Sequence, residues 1–547
     1  VPEGSYSTDP FNGEVRVKEF KQMVKGLHDN GISVIMDVVY NHVYNASAFC
    51  FNKIVPGYFT RPGSNGSGCG NDVASERAMV SKYIVDSVKY WADEYHIDGF
   101  RFDLAGLIDT QTINEIISTV QAKHPYVIFY GEGWTGGGDT AVQDGHSLAS
   151  KGNAYQVGSM AFYNDTFRNE IAGDDGRSWG FATGAGGKGD AIANYFRASN
   201  GWSSSPSQTI NYVSCHDNYT LIDKIIISRN GAYWDQMVRM NNLSAAIYML
   251  SQGIPFMYSG EELLREKVDE YGNRQHNCYN SNDYTTKIRW SDLVNKDYAQ
   301  VTDDYYSGLI QFRKNHAALR NPGGADAWNY TSYYKINDKC IMFYVNGYPN
   351  YECSDGIVII FNANEHGQGV NIYNYGVPYG NWQACIHGMQ AGVNPLWSNS
   401  DGNIIVDGLS ATVLVKGDLI HEESVYNKQS YRCSCGYHNQ SGLCWDCGSK
   451  VEHTFKNGYC THCNLAESAT GNNTIYFDNS EKNWSNVYAY AWTAQGGRTY
   501  SFTGDWPGLQ MTSVGNGIYS VSLPCAASNI IFTNNAGEQT VDQGLVK

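Results

Sequence analysis

The chain has 547 residues, with 38 basic against 54 acidic side chains and a formal net charge of −16. That balance disfavours nucleic acid or any other polyanionic partner, and no run of about 18 apolar residues is present to span a membrane. At 42% hydrophobic and 14% aromatic content the sequence can build roughly three or four folded domains.

The opening "VPEGSYSTDP" carries neither Met nor a signal peptide, so processing or truncation is expected to have removed the start. Residues 16–30 place Phe20, Met23, Val24 and Leu27 at helical spacing, and Gly31 can end that helix. "SVIMDVV" then reads as a strand buried on both faces. Residues 46–72 are a glycine-rich insertion in which Cys50 and Cys69 could pair. A helix from 76 carries Met79, Val80, Tyr83, Ile84, Val88 and Trp91, followed by the strand "IDGFRFD" and a helix with Ile113, Ile116, Ile117 and Val120. "YVIFYGE", "SMAFYND", "INYVSCHD" and "GIPFMYSG" continue as strands, with helical stretches at 240–251 and 305–320. Strand and helix alternating in this way predict a parallel α/β architecture, a (β/α)₈ barrel over residues 1–322. Only six strands can be counted, so the barrel is expected to lack its first two βα units. Residues 323–418 alternate with period two between turns and predict an antiparallel β-sandwich. Residues 419–468 are polar and cysteine-rich, and residues 469–547 predict a second small β-domain.

In such barrels chemistry sits at the carboxyl ends of the strands. Four strands end in polar clusters: Asp37, Asn41 and His42; Arg101 and Asp103; Glu132; His216 and Asp217. Carboxylates from different strands can thus converge on one mouth. A pair about 5–5.5 Å apart is what retaining glycoside hydrolysis needs, and an adjacent arginine keeps one of them ionised. A buried structural ion pair would explain one such strand, but it does not explain four ending alike. Cys215, beside His216, reads as a small packed residue and not as a nucleophile.

"DVVYNHV", "GFRFDLAG", "YGEGW" and "VSCHDN" resemble the ordered regions of the α-amylase superfamily, glycoside hydrolase family thirteen. "VPEGSYSTDP", "NYVSCHDNYTLIDK", "LSQGIPFMYSGEELLREK" and "NCYNSND" are similar to type I pullulanases within it, a likeness running over roughly residues 1–418. The resemblance implies Asp103 as nucleophile, Glu132 as general acid/base and Asp217 as transition-state stabiliser. It implies substrate contacts from Asn41, His42, Arg101, Trp134, His216, Tyr279, Asn280 and Asn282, and calcium at the Asn41 position in many relatives. No cofactor is implied for catalysis. The "YNWGYDP"-type segment that precedes "VPEGSYSTDP" in pullulanases is missing here. The chain expressed alone is therefore expected to be insoluble or nearly inactive. The implied activity is extracellular or cell-surface cleavage of α-1,6 branch links in pullulan, starch and related α-glucans. The rival readings are an α-1,4-acting amylase or dual-activity amylopullulanase, and a non-catalytic starch-binding surface protein.

Cys444-x₂-Cys447 and Cys460-x₂-Cys463, twelve residues apart, have zinc-ribbon-like spacing and predict a structural zinc, with disulfides as the alternative. Farther on, "NVYAYAWT" puts Tyr488, Tyr490 and Trp492 on one strand face opposite Ala489 and Ala491. Those rings could stack on glucose or could form core. With "YFDNS…W" and "WPG", residues 474–541 resemble starch-binding modules of carbohydrate-binding family twenty-six, which implies glucan contacts from Tyr488, Tyr490 and Trp506.

Overall fold

The computed structural model describes residues 2–417 apart from 144, 176, 322–323 and 348–353, the pairs 455–456 and 459–460, and, with short breaks, 472–544. Helix α1 (Gly13–Asp29) begins at Asn12, whose side chain accepts from the amides of Glu14 and Val15. It ends just before Gly31, whose φ of 73° suits glycine. Six parallel strands follow: β1 (Ile35–Val38), β2 (Gly99–Phe102), β3 (Ile128–Gly131), β4 (Met160–Tyr163), β5 (Thr209–Asn211) and β6 (Ile254–Pro255). They pair in sequence order as one sheet. Between them run α2 (Ala78–Tyr95), α3 (Thr110–Gln121), α4 (Asp165–Ala172), α5 (Gly189–Phe196), α6 (Leu221–Ser228) and α7 (Trp234–Leu250), and α8 (Ala299–Asn315) comes after β6.

The six predicted strands are all present, but four local readings differ. β1 is not buried on both faces: Ile35 is 39% exposed, because β1 pairs only with β2 and forms an edge of the sheet. On α1 only Val24 is fully covered. On α2 the buried stripe is Val80, Ile84, Val88 and Ala92 at i, i+4 spacing, so Met79 and Tyr83 turn outward. The strand predicted over 210–217 leaves its ladder at Asn211, and the chain runs on to Asp217 in irregular backbone.

Residues 331–417 build an antiparallel sheet in the order β10 (Trp382–Gly388), β11 (Ser410–Gly417), β9 (Ser354–Asn362), β8 (Cys340–Asn346) and β7 (Thr331–Asn337), with two short strands added at β10. One face packs on the preceding α/β layer, where Phe196 of α5 stacks on Phe343 of β8 with centroids 4.0 Å apart and planes at 16°. The other face buries Met342, Ile360, Trp382 and Leu414 beneath the two-stranded antiparallel ribbon of residues 368–371 and 403–406. Farther on, β12 (Asn472–Asp478), β13 (Tyr488–Gln495), β14 (Ile518–Pro524) and β15 (Asn529–Thr533) form two small sheets around Trp484, Val487, Leu523 and Phe532.

Candidate active site

The register of β1 against β2 sets Asp37 opposite Arg101. Arg101, 6% exposed in its side chain, sends Nη1 to Asp37 Oδ1 at 2.8 Å and to Asp103 Oδ1 at 2.9 Å, and Nη2 to Glu132 Oε1 at 2.8 Å. One guanidinium therefore gathers carboxylates from the ends of β1, β2 and β3. Gly131 makes the last approach possible: a Cβ there would stand 2.4 Å from the Phe102 carbonyl oxygen, whereas the Glu132 amide donates to that same oxygen at 3.1 Å. After Asp103 the chain turns through Leu104 in left-handed backbone, φ 37°, and the Leu104 amide donates to Glu132 Oε2 at 2.9 Å. Asn218, directly after Asp217, is left-handed too, with φ 60°. Non-glycine residues rarely adopt this region unless their surroundings hold them there.

Glu132 is the group these surroundings perturb most usefully. Burial raises its pKa, Arg101 and the Leu104 amide pull it down, and the charges of Asp103 and Asp217 push it up, leaving it at about 7. A carboxyl so placed is half protonated near neutrality, which is what a proton donor needs. At Arg101 burial favours loss of the proton, but the charges of Glu132, Asp37 and Asp103 more than reverse that and hold the guanidinium charged. His216 Nε2 lies 3.6 Å from Asp217 Oδ2, and the imidazole lies within electrostatic reach of Asp37. Asp103, Glu132, Asp217, Arg101 and His216 thus share one electrostatic site.

Other expected residues divide. Asn41 is wholly buried, and its Nδ2 donates to the Asp103 carbonyl at 2.7 Å and to Asp103 Oδ2 at 2.8 Å. Its Oδ1 faces His42 Nδ1, so this amide positions Asp103. Trp134 is half-buried beside Tyr163 and under the Lys151 ammonium, 5.2 Å from the ring centroid. Tyr279, Asn280 and Asn282 stand on an exposed loop. Asn282 donates to Glu270 Oε1 at 3.2 Å, and among the described residues none of the three hydrogen-bonds a carboxylate of the site. Cys50 and Cys69 are both free and exposed and do not pair with each other. Cys444, Cys447 and Cys463 lie outside the described residues, and Cys460 ends a two-residue strand against Phe455–Lys456.

On β13 Ala489 and Ala491 are fully buried, whereas Tyr488, Tyr490 and Trp492 are partly exposed. The aromatic row therefore faces outward. Tyr490 lies 5.6 Å from Trp492 and 5.6 Å from Trp506, which is 48% exposed. Two site residues had no assigned role in the sequence. Asp37 belongs to a recognised polar strand end, but its pairing with Arg101 needs the strand register. Tyr163, buried on β4, meets the Arg101 guanidinium, and the alternation of "MAFY" is the signal that could have aimed it inward.

Residues 475–545 match the family model of starch-binding module 26. The chain is 35% identical over 377 residues to a pullulanase of Bacillus subtilis (strain 168), covering 66% of this chain and 51% of that protein. Among solved structures, the pullulanase from Bacillus acidopullulyticus superposes with a TM-score of 0.70 at 36% identity, over 76% of this chain and 50% of that one. A pullulanase from Anoxybacillus sp. LM18-11 complexed with maltotetraose gives 0.69 at 33% identity, over 76% and 58%. The chain spans about half the length of the curated relative it matches. These likenesses relate it to the pullulanases, as an α/β amylase-type fold followed by β-rich domains with a starch-binding module at the C-terminal end.

Proposed function

We propose that this chain is the catalytic and starch-binding part of a retaining glycoside hydrolase that cleaves α-1,6 branch links of pullulan, starch and related α-glucans. The observation that carries the reading is the single guanidinium bridging Asp37, Asp103 and Glu132, with Glu132 at about 7. Glu132, protonated, gives its proton to the glycosidic oxygen while Asp103 attacks the anomeric carbon and displaces the leaving sugar. Water, deprotonated by Glu132, then opens the glycosyl–Asp103 ester. Asp217 faces the positive charge that develops on the sugar ring, and His42, His216 and Trp134 bind the ring being cleaved. Tyr279, Asn280 and Asn282 form an outer contact for the branch. Tyr488, Tyr490 and Trp506 hold the polymer by stacking.

In this reading the six-stranded sheet is a (β/α)₈ barrel without its first two βα units, within residues 1–322. The sandwich takes 323–418, a zinc-ribbon-like segment 419–468 and the starch-binding module 469–547. Cys444, Cys447, Cys460 and Cys463 would saturate a zinc ion, whose role is then structural. Calcium is assigned no residue. A polymeric substrate and a polymer-binding module suit an extracellular or cell-surface enzyme. No helix among the described residues is long and apolar enough to cross a membrane. Product analysis on pullulan with the full-length protein tests the reading: maltotriose supports it, panose or isopanose points to α-1,4 cleavage, and no product leaves only glucan binding.

A further inference from the structure

Lys267 has no part in the chemistry above, and its surroundings are unusual for a lysine. It is fully buried, and among the described residues no carboxylate lies within ion-pair distance of its ammonium. Nζ instead donates to the carbonyl oxygen of His216 and, at 2.8 Å, to that of Asn218, the two residues that flank Asp217. The ammonium also sits 5.4 Å from the centroid of the Tyr258 ring. Its own backbone is pinned: the Lys267 amide donates to Asp223 Oδ2 at 2.7 Å. Asp223 lies in the first turn of α6, which Thr220 caps through the Asp223 amide.

A buried ammonium with no carboxylate in contact is costly; the Asp217 charge acts on it only across space, and the two carbonyl oxygens are its direct partners. It recovers that cost fully only if both carbonyls turn toward it. One of those carbonyls belongs to Asn218, which sits in left-handed backbone with φ 60°, a region asparagine enters more readily than other non-glycine residues. The 216–218 turn and Lys267 therefore fix each other, and the side chain aimed by that turn is Asp217.

We propose that Lys267 is the positioning residue for Asp217, clamping the turn so that this carboxylate faces the sugar opposite Glu132. The proposal rests on the role given to Asp217 under the proposed function. Lys267 touches neither substrate nor reacting atoms, so its removal should lower kcat and leave KM nearly unchanged.

The test compares Lys267→Met, Lys267→Gln, Asp217→Asn and the double variant Lys267→Met/Asp217→Asn in the full-length protein. Pullulan and an activated aryl α-maltotrioside serve as substrates, with melting temperature and folded fraction recorded. Lys267→Met is expected to lower kcat about 100-fold, the order that a displacement of about 1 Å costs in an active site. Lys267→Gln, which keeps a donor for one carbonyl, should fall between it and the parent, and it carries the test alone if Lys267→Met does not fold. In the Asp217→Asn background the lysine substitution should cost less than about twofold, because the two residues act as a unit. The proposal is overturned if kcat falls only in proportion to the folded fraction, if kcat is unchanged, or if the same factor is lost in both backgrounds. Full activity of Asp217→Asn alone would instead remove the catalytic role of Asp217.

Discussion

Replacing Arg101 with Met removes the one cation that three carboxylates share, and its consequences depend on pH in a direction the geometry fixes. The side chains of Arg101 and Glu132 are 6% and 8% exposed, whereas Asp103 and Asp37 are 26% and 53% exposed. Solvent screens the last two pairs, so the stability effect should come mainly from the Glu132 arm. Breaking a buried pair by deleting one partner costs about 3–5 kcal/mol. Glu132 can escape that cost by taking up a proton. Arg101 is the strongest influence lowering its pKa, so without it the folded-state value rises beyond about 7, while the unfolded value stays near 4.5. A carboxyl raised on folding is harmless below its unfolded pKa, and it destabilises progressively as pH climbs toward its folded pKa. Urea unfolding of the full-length protein should therefore show Arg101→Met less stable than the parent at about pH 8, with up to about 1.4 kcal/mol of that deficit arising from Glu132, because pH 8 lies about one unit above the parent's value of about 7. The deficit should be markedly smaller at about pH 5.5, where Glu132 is neutral in both proteins. An equal deficit at the two pH values, or none at either, would refute the reasoning.

The remaining predictions are briefer. With Glu132 at about 7, kcat/KM on pullulan should fall as pH rises through that value, and Glu132→Gln should abolish the limb; an alkaline limb unmoved by that substitution would exclude Glu132 as the acid. Tyr490→Ala combined with Trp506→Ala should weaken retention in a starch affinity gel, since both rings lie on the outward face of the module, and should leave hydrolysis of a short soluble glucan unchanged. Purified full-length protein should carry about one zinc per chain, lost in Cys444→Ser; a metal-free protein with no titratable thiols in this segment would favour disulfides.

Much of the fold could be read from the sequence, because side-chain periodicity is a local property. The six strands and the polar residues at their ends follow from alternation and from where it stops. Burial depends on neighbours, and there the reading failed: "SVIMDVV" is apolar apart from Ser33 and Asp37, but as the edge strand β1 it leaves Ile35 exposed. The pattern of "NVYAYAWT" could not say which face was covered, since small alanines opposite large rings suit either arrangement, and only the packing of Ala489 and Ala491 into the core decided it. The partners of Asp37 and Lys267 were hidden for a related reason. Asp37 meets Arg101 through parallel register, and Lys267 is held by backbone oxygens 49 and 51 positions away, which no composition or spacing records.

Trapping the covalent intermediate tests the central claim most directly. The full-length Glu132→Gln variant, incubated with an activated fluorinated α-glucosyl donor and digested, should yield one glycosylated peptide with the added mass on Asp103. A label on any other carboxylate, or turnover that inverts the anomeric centre with no label at all, would contradict the account.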